Sequence, residues 1–198
     1  MRIRRLARNS SGQALVETAL IMPLMLIVVL NAVNFAFFFL MALNITAASR
    51  TSGIYSIMGG ATPASINYPK AGPQTTSTTV SYLAFQDLTG AVSTPTTSNT
   101  GVQVCSTSVG ILNAGTTSMQ TSCTYYGLNG NFPAAEPDPE LNAGSTAPAF
   151  FLNRVDVAYQ FTPPIPLTPF TIFLGLAPNC NATGTSCTFY RHVVMREM

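Results

Sequence analysis

The sequence predicts an α+β protein: one long N-terminal transmembrane helix followed by a small antiparallel β-sheet domain. Three observations carry that reading. Residues 18–49 contain no charged side chain, and 19–43 are almost wholly apolar. Apolar and polar residues alternate at 154–161 and again near the C-terminus. Beyond residue 60 the chain is rich in Thr, Ser, Asn, Gly and Pro, a composition for strands and loops.

The apolar run exceeds the roughly 20 residues that span a bilayer as a helix. A secretory signal would fit the basic residues before it, but such signals carry only about 7–15 apolar residues. Arg2, Arg4, Arg5 and Arg8 precede the run and only Arg50 follows closely. This bias orients the N-terminus to the cytoplasm and the rest of the chain outside. Helix formers continue to Met58, and Gly59-Gly60 with Pro63 supplies a stop. The predicted helix covers 14–58, about 65–70 Å at 1.5 Å per residue, so its second half stands outside the bilayer and must pack on something. The implied division is a leader at 1–12, a span with extended helix at 13–60, and an exported β-rich domain at 61–198.

Within that domain, 61–80 and 88–122 read as loops with short exposed strands, Val102-Gln103-Val104-Cys105 among them. Segment 130–149, with four prolines and Glu136, Asp138 and Glu140, reads as a solvated acidic loop, because it lacks the ligand order of a calcium loop. The clearest strand is 154–161, where Val155, Val157, Tyr159 and Phe161 face one way and Arg154, Asp156 and Gln160 the other, one face buried and one wet. A second lies at 186–196, with Cys187, Phe189, Val193 and Met195 on its apolar side. Between them, 165–176 is apolar but broken by prolines and too short to span. It is expected to cover the sheet or meet the long helix.

Charge and motifs exclude several functions. Charged residues make up 8% of the chain, against roughly 25% in soluble domains. Once the four leading arginines are set aside, five basic and seven acidic residues remain, which offers no surface for nucleic acid. The single imidazole, His192, reads as a sheet-surface residue, and no nucleophile elbow, phosphate loop or metal-ligand spacing occurs. An enzyme, a cofactor and a metal are therefore not expected. Cys105, Cys123, Cys180 and Cys187 have no zinc spacing, and an even count outside the cytoplasm favours disulfides. Of three possible connectivities, the sequence-local pairs Cys105–Cys123 and Cys180–Cys187 are preferred.

The informative motif is at the front: Gly12-Gln13-Ala14-Leu15-Val16-Glu17-Thr18-Ala19-Leu20-Ile21-Met22-Pro23-Leu24. A carboxylate at the lip of an apolar span is costly and normally has a partner. If the chain is cut between Gly12 and Gln13, the new amine lies one helical turn from Glu17, and the amine of a neighbouring subunit reaches the same carboxylate. Asn31 and Asn34, three apart on one face, are candidates for hydrogen bonds between helices.

This front resembles the class III signal of type IV pilins and pseudopilins. More closely, it is similar to the start of TadE-like proteins, the minor pilins or pseudopilins of the tight-adherence (Tad/Flp) system. The resemblance continues through Asn44-Ile45-Thr46-Ala47-Ala48-Ser49-Arg50-Thr51-Ser52-Gly53 and covers about residues 11–55. It implies processing at Gly12 and Gln13 by a prepilin peptidase, residence in the bacterial inner membrane, and other pilin-type subunits as partners. Where the family often has an acidic residue in mid-span, this chain has Asn34. The competing expectation is a membrane-anchored extracellular binding module or adhesin.

Overall fold

The computed structural model describes residues 10–58, 68–89, 94–109, 120–128, 132, 150–166 and 168–197. The residues numbered 1–9, and all of the acidic segment 130–149 except Phe132, lie outside the described residues.

One helix, α1 (Ser10–Ser56), runs unbroken for 47 residues, about 70 Å at 1.5 Å per residue. It begins four residues before the predicted start. Pro23 lies inside it. A short second helix, α2 (Val80–Leu88), follows, in a stretch where the sequence predicts no element. Its signal was present: Thr79 accepts a hydrogen bond from the Tyr82 amide, and Val80, Ala84, Phe85 and Leu88 bury one helical face.

Four strands follow: β1 (Thr100–Val109), β2 (Gln120–Gly127), β3 (Phe150–Phe161) and, after the six-residue helix α3 (Pro169–Leu174), β4 (Cys187–Glu197). They form one antiparallel sheet in the order β2-β1-β3-β4. The fold is the expected α+β, with both predicted strands present and paired to each other, Val155 opposite Val193 and Tyr159 opposite Phe189. Strand β1 departs from the expectation of an exposed strand. It lies between β2 and β3, and Val102, Val104 and Cys105 are buried.

The core forms where α1 and α2 lie on one sheet face. Met41, Ile45 and Ala48 of α1 join Val80, Ala84 and Leu88 of α2 and Val102, Val104, Val155, Val157, Tyr159 and Phe161 of the sheet. Close approach of α1 requires small residues: a Cβ on Gly53 would run into Cγ1 of Val193. The predicted wet face of β3 is corrected by the structure. Arg154 and Asp156 on that face are buried, and the guanidinium reaches both carboxylate oxygens, with Nη2 2.8 Å from Oδ1. A buried charge is tolerated because its opposite lies beside it. Phe132, in edge contact with Tyr125 and Tyr190, also lies on that side.

Candidate functional site

The candidate site is α1 itself, and its two ends have different surroundings. From residue 14 to 29 every side chain is exposed, including Leu15, Leu20, Leu24 and Val28. From Leu30 onward the helix acquires a buried stripe of Asn34, Met41, Ile45, Ala48, Ser49, Ser52, Gly53 and Ser56, spaced at three, four and seven as one helical face requires. The opposite ridge of this half stays apolar and open at Phe35, Phe39, Leu40 and Leu43.

Gly12, Gln13 and Glu17 all fall in the first two turns. Gly12 is exposed, and a Cβ there would meet nothing within 4 Å. Gln13 and Glu17 are four residues apart in the same helix, so the helix places the two positions on one side. Glu17 is exposed.

Asn31 and Asn34 bond within the chain. The Asn34 amide donates to the Ile165 carbonyl at 2.8 Å and to Oγ1 of Thr168 at 2.9 Å, while its Oδ1 accepts from the Ile165 amide at 3.1 Å. Asn31 donates to the Ile27 carbonyl one turn back at 2.7 Å, and its Oδ1 accepts from the Phe170 amide, also at 2.7 Å. Within the chain, these amides clamp the proline-rich connection and the start of α3 onto α1. The reason lies in that connection. Its prolines and its turn into α3 leave backbone groups without ladder partners, and buried backbone groups need partners. Phe38 completes the clamp, with its ring centroid 5.0 Å from that of Phe189 and 5.9 Å from those of Phe161 and Phe170.

Both disulfides join the sequence-local partners. Cys105 and Cys123 stand opposite each other on β1 and β2, and Cys180–Cys187 closes the turn from α3 into β4. His192 is exposed on β4. Among the described residues no three His, Cys, Asp or Glu side chains come together as a metal site would require. A small depression lined by Tyr68, Lys70, Val104, Ser106, Ser122 and Thr124 offers hydroxyls and one ammonium. Burial pushes the Tyr159 phenol above its ordinary range, which suits a core side chain that stays neutral.

The helix that carries Gly12, Gln13, Glu17, Asn31 and Asn34 also carries the likeness to known proteins. Residues 12–53 match the family model of TadE-like proteins. The matched segment starts at the predicted processing glycine and ends at Gly53, where α1 touches β4. It thus takes in the bare half of the helix and most of the packed half, and none of the sheet. The TadE-like segment contains Gly12, Gln13, Glu17, Asn31 and Asn34. No curated protein and no solved structure matches the chain. Among the described residues one helix is long and apolar enough, by length and composition, to cross a membrane, as a single-pass anchor would.

Proposed function

We propose that this chain is a minor pilin or pseudopilin-like structural component of a Tad-type pilus. It inserts in the bacterial inner membrane with its N-terminus in the cytoplasm and the sheet domain outside. A prepilin peptidase removes residues 1–12, and the mature chain joins other pilin-type subunits through α1. The chain acts as a building or assembly element and not as an enzyme.

The observation that carries this reading is the division of one continuous helix. A simple anchor needs about 20 residues and can end at the membrane surface. Here the same helix continues as the spine of the exported domain, while the ridge of Phe35, Phe39, Leu40 and Leu43 stays open beyond the bare half. An apolar ridge continuous with a membrane span suits lateral packing against other helices of the same kind. The TadE-like match over this helix supports the same conclusion.

Processing and assembly are separable by two substitutions. Gly12→Val should block loss of the leader, read by intact mass of the membrane-extracted chain. Glu17→Val suits the bilayer better than a carboxylate, so insertion and cleavage should persist. Co-purification with pilin-type subunits and filament yield should fall roughly tenfold, equivalent to about 1.4 kcal/mol of lost pairing. Normal filaments from Glu17→Val would reject the assembly role and leave Glu17 as a charge favoured by the helix N-terminus. A mature chain that still begins at Met1 in a host with the peptidase would reject processing.

A further inference from the structure

The direction of the strands relative to α1 establishes which end of the sheet domain faces the span. Phe38 packs on Phe161 at the end of β3 and on Phe189 at the start of β4. Farther along α1, Gly53 meets Val193, and Ser56 accepts a hydrogen bond from Asn153 at 2.8 Å. Strand β3 therefore runs toward the bare half of α1 and β4 runs away from it. The connection 162–186 forms the near pole of the domain.

That pole is apolar on its outside. Ile172, Phe173 and Leu176 are 73%, 72% and 83% exposed, while Phe170, Thr171 and Leu174 hold α3 to the core. No charged residue occurs between Asp156 and Arg191. Large apolar side chains this open, grouped on and just after one short helix, need a cover.

Bilayer thickness identifies the cover. The bare part of α1, residues 14–29, is about 24 Å long at 1.5 Å per residue, short of the roughly 30 Å hydrocarbon core. Roughly 20 residues counted from Ala14 reach residue 33, and counted from Thr18, with Glu17 left among the headgroups, they reach 37. Asn31 falls within either count and Asn34 within the second, and both are bonded to the connection that carries α3. The hydrocarbon therefore extends past the point where α3 is clamped to α1.

We propose that Ile172, Phe173 and Leu176 enter the exported-side leaflet and pack among lipid acyl chains, giving the domain a second membrane contact beside the α1 span. This rests on the membrane reading of α1. The occupant is lipid and not a second copy of the chain, because the tip lies at the height of the leaflet and lacks any charge that would resist immersion. The contact holds the domain in one tilt relative to the membrane, with the opposite pole, where β3 begins and β4 ends, pointing away.

The chain has no tryptophan, so a single substitution introduces a clean reporter. The full-length protein is reconstituted in phosphatidylcholine vesicles containing brominated acyl chains, as Phe173→Trp, Leu24→Trp or Ile54→Trp. Phe173→Trp should emit to the blue of aqueous tryptophan and lose about half its emission to bromines near the headgroups, as suits immersion of roughly 5–10 Å. Leu24→Trp should be quenched most by deeper bromines, and Ile54→Trp should be unaffected. An unquenched Phe173→Trp beside a quenched Leu24→Trp overturns the tip contact and leaves the span intact. Blue emission from Phe173→Trp without quenching overturns it in favour of a protein cover. Quenching of Ile54→Trp to the level of Phe173→Trp overturns the tilt, since the domain would then lie flat on the membrane. An unquenched Leu24→Trp overturns the membrane reading and the tip contact together.

Discussion

Residues 14–29 and residues 30–56 belong to one helix, yet they are stabilised in different ways. In the first part Leu24 is 63% exposed and its neighbours are equally open; in the second, Ile45 is fully buried against strands and α2. Uniform apolarity around the helix suits a lipid solvent, which has no preferred side. A stripe of small residues, by contrast, serves a protein surface. Ala48, Ser49, Ser52, Gly53 and Ser56 let the sheet approach, and larger side chains there would hold it off. The difference shows that uniform apolarity accompanies the bare part of the helix, while small side chains mark where it packs on protein.

The largest effect expected is from Ile45→Ala, which should destabilise the exported domain by about 2–5 kcal/mol through the cavity left between α1 and the sheet. Thermal melts in detergent, followed by near-ultraviolet circular dichroism of the domain's tyrosines, would check it. A loss below 1 kcal/mol would mean that the packed half resembles the bare half.

Asn34→Leu tests the boundary between the two regimes. It makes the helix more apolar and should leave insertion unchanged, but it leaves the Ile165 amide and carbonyl unsatisfied, at about 1–3 kcal/mol for each group that stays buried. Hydrogen exchange at the Ile165 and Phe170 amides should quicken while exchange in residues 14–29 keeps its rate. Unchanged exchange would show that the clamp depends on Phe38 alone.

The smallest effect belongs to Leu24→Ala. It removes apolar area from lipid contact and should alter the melting of the exported domain by no more than about 0.5 kcal/mol. The contrast with Ile45→Ala, measured by the same melts, is the most direct comparison of the two halves.

Much of the candidate site was legible as a linear pattern. The Gly12-Gln13 junction, Glu17 and the uncharged run after it need only neighbouring residues to be recognised, since helix length and transfer energy are local and additive. The α+β class, the long helix, the strands around Val155 and Val193 and the two sequence-local disulfides were legible for the same reason: alternation and short spacing are properties of a segment. The helix α2 was also written in its capping threonine and apolar spacing, but was obscured by the polar composition around it.

Other features depended on how separate segments of the chain pack together. Asn31 and Asn34 carry the same amide whether they face another helix or their own chain, and only the return of the connection at 165–170 decided that they clamp α3. Arg154 and Asp156 alternate with apolar residues as a solvent face would, yet packing on that face buries them, and their pairing makes the burial tolerable. The sequence alone determined that a long apolar helix precedes a sheet. Tertiary structure decided where along that helix the bare surface gives way to packed protein, because that boundary depends on which surfaces meet and not on the polarity of any one segment.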